Sequence, residues 1–122
     1  MTGLFPDAAG SPAAPDTGES RPVEARLAQW VTFYCELWGY PEIAATCEVT
    51  FSGRLQTSLG IAYLKPRKIR LHKTLVTGEH EHLLPEVLCH ELAHLVVYSA
   101  HANCAKPHGA EWRALMRAAG FE

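Results

Sequence analysis

His90-Glu91-Leu92-Ala93-His94, followed fourteen positions later by His108-Gly109-Ala110-Glu111-Trp112, is the stretch on which the reading of this chain turns. An α-helix repeats every 3.6 residues, so His90 and His94 leave one face a turn apart, where both imidazoles can reach one tetrahedral Zn²⁺. Glu91 stands beside them as the base for a water on that metal. A catalytic zinc keeps three protein ligands and leaves the fourth position to water or substrate, and His108 is the best candidate for the third. Around the motif, Leu84, Val87, Leu88, Leu92, Leu95, Val96 and Tyr98 recur at three- and four-residue steps, with Pro85 suited to a first helical turn. The segment from Leu83 to Ala100 is therefore expected to be a mostly buried helix. Two His and a Glu within five residues of such a helix are costly to bury unless something, such as a metal, pairs with them.

Working outward, a last helix is expected from about Gly109 to Ala119, with Trp112, Leu115 and Met116 on one face and Gly120 as terminator. Docking of that face on the zinc helix would fix His108. Glu111 admits three readings: a ligand, a group that orients a ligand imidazole, or a charge at a helix N-terminus. Cys104, in the loop before His108, is a weaker competitor as ligand. Tyr98 shares the face of His90 and His94, so its hydroxyl either supports the site or belongs to a core tyrosine at the rim. His72, His80, His82 and His101 read as structural or solvated groups.

Upstream, Leu27, Trp30, Val31, Tyr34 and Trp38 recur at helical spacing from Val23 to Trp38, and Gly39 with Pro41 supplies a stop. Cys47 to Phe51, Leu59 to Leu64 and Lys68 to His72 have strand composition, with Pro66 in a turn. A small three-stranded antiparallel sheet is expected. Leu59 to Tyr63 is placed at its edge, where an extended peptide binds by main-chain hydrogen bonds. Gly60 would either let that backbone approach or mark a bend. Met1 to Pro22, rich in Pro, Gly, Ala and Ser and without periodicity, reads as a flexible N-terminal tail (1–22) ahead of one domain (23–122).

His90-Glu91-x-x-His94 with His108-Gly109-x-x-Trp112-x-x-x-Met116 resembles the SprT-like (Spartan-type) zinc metallopeptidases. Leu59-Gly60-Ile61-Ala62-Tyr63, a basic turn and Lys68-Ile69-Arg70-Leu71-His72 are similar to the β-hairpin that precedes the active-site helix in that family. The likeness runs from about Val23 to Gly120. It implies a minimal zincin-like α+β domain: an N-terminal helix, a small sheet, the HExxH helix and a C-terminal helix. It departs from family members that carry a Cys-rich zinc ribbon, since no C-x-x-C occurs here. The expected activity is a zinc metalloendopeptidase with metal ligands His90, His94 and His108, catalytic Glu91, Zn²⁺ as cofactor and a protein or peptide as substrate. DNA-associated proteins are one possible substrate class. The alternative is a DNA-binding or scaffold protein with a structural zinc and no proteolysis, and a zinc hydrolase of non-peptide substrates ranks third.

Composition agrees with a globular domain, with 48% hydrophobic and 20% charged residues. A formal net charge of −2 argues against general affinity for nucleic acid, yet Arg54, Lys65, Arg67, Lys68, Arg70 and Lys73 fall in a stretch without Asp or Glu. This basic hairpin, Arg54 to Lys73, is the place for a DNA contact, or else a solvated edge protected from aggregation by its charge. Cys35, Cys47, Cys89 and Cys104 show no paired or knuckle spacing. With no apolar run of membrane-spanning length and no leader pattern, the expected setting is cytoplasmic, with no membrane partner.

Overall fold

The computed structural model describes residues 23–55, 58–77, 80–101, 106 and 108–121. The expected tail, residues 1–22, and Cys104 lie outside them. Helix α1 (Val23–Leu37) is followed by a short helix α2 (Pro41–Thr46), strands β1 (Glu48–Ser52), β2 (Gly60–Tyr63) and β3 (Lys68–His72), two 3-10 turns at Lys73–Leu75 and Glu81–Leu83, then α3 (Leu84–His101) and α4 (Ala110–Ala118). The elements expected from the pattern are present, with α2 added between Gly39 and β1. Pro41 starts that helix because its fixed φ suits a first turn and its missing N–H has no partner there to lose.

Strand β3 alternates, Lys68 and Arg70 outward, Ile69 and Leu71 fully buried. The sheet thus has one face on the helices and one in water. Its order is β1-β3-β2. The β2–β3 pair is antiparallel as expected, with Gly60 opposite Leu71, whereas β1 runs parallel to β3, with Glu48 opposite Lys68. The all-antiparallel arrangement is corrected here, and Arg67 supplies the local reason. Lying in the left-handed region at φ 56°, it turns the hairpin so that its carbonyl accepts from the Glu48 N–H at 2.9 Å. Its guanidinium donates to Thr46 Oγ1 at 2.7 Å and to Ser99 Oγ at 3.3 Å. The starts of β1 and β3 are pinned side by side, which fixes their common direction.

Helix α1 stacks Trp30, Tyr34 and Trp38 along one stripe, with ring centroids 5.6 and 5.9 Å apart. The stripe faces the core, as four-residue spacing requires. Trp38 Nε1 donates to the Leu115 carbonyl at 3.0 Å, and the Tyr34 ring meets Phe121. α1 therefore braces α4 as well as α3. Leu88, Leu92, Leu95 and Val96 of α3 fill the centre with Ile69 and Leu71.

Strand β2 crosses α3 where Gly60 faces it. A Cβ at Gly60 would lie 3.0 Å from Val87 Cγ1 and 3.2 Å from both Cγ and Oε2 of Glu91. The close approach that Gly60 permits is thus that of α3, and the absent side chain leaves room for the Glu91 carboxylate. Overpacking at such a contact costs about 1–3 kcal/mol. Gly60→Val is expected to lower stability by about that amount, while Gly60→Ala combined with Val87→Ala recovers part of the loss seen for Gly60→Ala alone. Denaturant midpoints of the set measure this, and equal losses with and without Val87→Ala would show that the approach to α3 is not what restricts the position.

Candidate metal centre

The histidines of α3 are brought to His108 by α4. His108 itself lies at φ 57°, the left-handed region that non-glycine residues rarely occupy, and so turns its ring back toward α3 before the helix begins. Gly109 follows because a Cβ there would sit 3.0 Å from the Lys106 carbonyl, to which the Gly109 N–H donates at 2.9 Å. Arg113, one turn into α4, donates from Nη1 to the His108 carbonyl at 3.1 Å and holds the peptide in place.

Trp112 locks the two helices together. Its Nε1 donates to the His90 carbonyl at 3.2 Å. Its ring lies edge-on to His90 and His108, with centroids 4.7 and 4.6 Å away, and stacks on His94 at 5.7 Å. The sequence places Trp112 on the docking face but not against all three imidazoles; its four-residue step from His108 is the signal that carries this. Among the described residues, Trp112 rather than Tyr98 is the aromatic ring on the triad, and Tyr98 is half-buried further along α3.

His108 Nε2 lies 3.0 Å from His94 Nε2 and 3.1 Å from His90 Nε2. Three ring nitrogens converge, yet a hydrogen bond between two imidazoles uses only one proton, so the lone pairs cannot all find donors among themselves. A divalent cation resolves this arrangement, and ligands about 2.0–2.1 Å from zinc stand at roughly such mutual distances. The donor set fits a metal. Among the described residues, these are the groups of His, Cys, Asp and Glu side chains that meet this way, all within 4.8 Å of one another. Glu111, exposed on α4, is outside the group. His72 and His80 are structural: both bond Thr74 Oγ1 through Nδ1, at 2.9 and 3.0 Å, and His72 also caps the turn by accepting the Thr74 N–H. His82 and His101 are exposed.

Burial sets the electrostatics. The His94 ring is pushed down to about 4 by desolvation and by its two histidine neighbours, and His90 is lowered by desolvation and by His108, so these two imidazoles stay neutral, as ligands must. Glu91, 8% exposed, is pushed up to about 7 by burial. A cation at the three nitrogens acts in the opposite sense on Glu91, favouring its ionised form. For the metal-free protein the sign is fixed: Glu91 binds its proton more tightly folded than unfolded, so its stabilising contribution is complete below about pH 4.5 and is lost as pH rises through 7. His94 works the other way, removing stability as pH falls from 6.5 toward 4. In chelator-treated protein, Glu91→Gln is expected to flatten the decline in melting temperature between pH 5 and 7.5 relative to the parent; parallel curves would remove burial of Glu91 as its cause.

Comparison with known proteins agrees with this geometry. The model of the SprT-like family matches residues 27–122. Protein SprT of Glaesserella parasuis serovar 5 is 38% identical over 72 residues, covering 59% of this chain and 44% of that protein. Protein SprT of Shigella boydii serotype 18 is 45% identical over 60 residues, covering 49% and 36%, and that of Yersinia pestis is 45% identical over 60 residues, covering 49% and 35%. The chain thus matches less than half the length of these curated relatives. The family match takes in α3, α4 and all three converging histidines, in an α+β fold whose His90-Glu91-x-x-His94 and His108 are arranged as a zinc-metallopeptidase active site, and the chain belongs to the SprT-like family.

Proposed function

We propose that this protein is a zinc metalloendopeptidase whose domain, residues 23–122, holds the metal through His90, His94 and His108 and uses Glu91 as general base. The observation that carries the reading is the convergence of three histidine Nε2 atoms beside a buried carboxylate. When bound, zinc supplies Lewis-acid polarisation of the scissile carbonyl and lowers the pKa of water toward neutrality. The protein's own groups do the rest. Glu91 takes the proton of the attacking water and passes it to the leaving amine; burial raises its proton affinity and a cation at the three nitrogens lowers it, so the two act against each other at this carboxylate. Gly60 keeps the space that the carboxylate occupies, and β2, at the edge of the sheet, offers unpaired main-chain groups to an extended substrate.

The finer reading, action on DNA-associated proteins, is supported by the outer face of the sheet. Lys68 and Arg70 are exposed there, Lys68 beside Glu48 with its Nζ 3.9 Å from Oε1, and Tyr63, at 37% exposure, lies under the Arg70 guanidinium, 5.6 Å from its ring centroid. A cation–aromatic pair on an open basic surface suits a sugar-phosphate backbone with stacked bases. Arg67 is not free for that role, since Thr46 and Ser99 hold it. Among the described residues no helix is long and apolar enough to cross a membrane, and Cys35, Cys47 and Cys89 are free thiols, which is consistent with the cytoplasmic setting we propose.

Protein purified without added metal is expected to carry near one zinc per chain, with a clear loss in His108→Ala. Glu91→Gln is expected to keep the zinc and the fold while proteolysis of an unfolded protein falls about 10²–10⁴-fold. Metal analysis and cleavage assays check both, and full activity in Glu91→Gln would remove Glu91 from the base role. A metal held equally well by His108→Ala would instead favour a closed structural site with other ligands. Lys68→Ala with Arg70→Ala is expected to weaken salt-sensitive DNA binding, and to leave zinc content unchanged.

A further inference from the structure

A groove of about 400 Å³ opens between α1, α2 and β1, at the edge of the sheet opposite β2. Its floor is apolar, with Leu27 and Val31 from α1, Val49 and Phe51 from β1, and Cys47 where α2 ends. Val49 and Phe51 pair with Ile69 and Leu71 and so share the inward face of the sheet. They stay half-buried while those partners are fully buried, because the helices do not close over β1 as they do over β3. Among the described residues, β1 has β3 on one side and no strand on the other. An open strand edge beside an apolar groove invites pairing unless it is covered, and the volume lies within the roughly 300–1,000 Å³ of clefts that take a ligand.

We propose that this groove seats the chain's own N-terminal segment, residues 1–22, anchored by Leu4 and Phe5. The segment leads directly into Val23, and Leu27, about one turn into α1, already lines the groove. Reach is not limiting, since the 18 positions from Phe5 to Val23 span up to about 60 Å when extended. Composition picks the anchor: with Met1, Leu4 and Phe5 are the large apolar side chains of a segment otherwise made of Ala, Gly, Pro, Ser, Thr and charged residues. Pro6 biases Phe5 toward the extended backbone that lies along an edge strand, where its own missing N–H is tolerated. Charge agrees. Asp7, Asp16 and Glu19 outnumber Arg21 in the segment, while Arg54 and Lys73 are exposed beyond the end of β1, the Lys73 stem lying against Gly53. Neither cation has a carboxylate within 4 Å among the described residues, so the segment's acids are drawn to that end of the groove. The family match begins at residue 27, so the anchor lies outside it. Held there, the segment covers the β1 edge and leaves the β2 edge beside Glu91 open.

Cys47, half-buried in the groove, is the reporter, in the whole chain carrying Cys104→Ser; Cys35 and Cys89 are fully buried. A second thiol is introduced by Gly3→Cys, beside the anchor, or by Ala14→Cys, nearer to α1, and its disulfide with Cys47 under oxidised glutathione is followed by mass spectrometry. Loop closure alone favours the shorter loop, so in an unseated segment Ala14→Cys bridges at least as fast as Gly3→Cys. Seating is expected to reverse the order, with Gly3→Cys bridging about tenfold faster, the equivalent of burying part of one large apolar side chain. In the chain without an added thiol, Leu4→Ser with Phe5→Ser is expected to raise the rate at which Cys47 reacts with a chromogenic aryl disulfide by about the same factor, with thermal melting confirming the fold. Bridging that does not favour Gly3→Cys, or a Cys47 rate indifferent to Leu4 and Phe5, would overturn the proposal. A bridge formed between two chains rather than within one would overturn it as well and give the groove to a second copy.

Discussion

Everything at this centre depends on the contact between Trp112 and the turn of α3 that carries His90. Two ligands on one helix define only a direction, and a metal needs a third donor from elsewhere in the chain. Trp112 supplies the register: its N–H finds the His90 carbonyl while its ring touches all three imidazoles. Sliding α4 by a turn would break that bond and carry His108 about 5 Å from its partners. The bond is a single one, but it is made next to a dry surface, where an unsatisfied indole N–H is expensive. α1 reinforces the same placement from behind, through Trp38 on the Leu115 carbonyl.

The site was legible in the sequence to an unusual degree because its determinants are local. The turn between His90 and His94, the neighbouring Glu91 and the aromatic one turn after His108 are spacings that helical geometry converts directly into shared faces. What sequence could not supply was contact across elements. Gly60 read equally well as a bend or as room for a ligand backbone, and only packing reveals that its neighbours are Val87 and Glu91. Likewise, the strands were found by composition, but alternation says nothing about which strand lies next to which. The parallel β1–β3 pair arises from Arg67, whose basic side chain reads as part of a solvated turn, though its left-handed backbone and its bonds to Thr46 and Ser99 make it a structural pin. The strained backbone of His108 was similarly invisible, with Gly109 as its sole trace.

Electrostatically the centre is a balance of opposed preferences. Burial favours neutral histidines and a protonated glutamic acid, and a cation needs the first and reverses the second. Glu91 thus binds its proton more tightly when the metal is away and less tightly when the metal is present. That exchange makes Glu91 sensitive to the occupancy of a site it does not ligate.

The brace between α1 and α4 has a consequence for how the chain is made. The Trp30–Tyr34–Trp38 stripe is completed by Leu115 and Phe121, and the hydrogen bond from Trp38 spans 77 positions. During synthesis from the N-terminus, those three rings leave the ribosome well before the groups that cover them. At the roughly 5–20 residues per second of translation, an aromatic stripe remains uncovered for several seconds or more. The segment that holds the finished domain together is therefore also the nascent chain's most adhesive surface, and the interval before α4 emerges is when a chaperone has most to do.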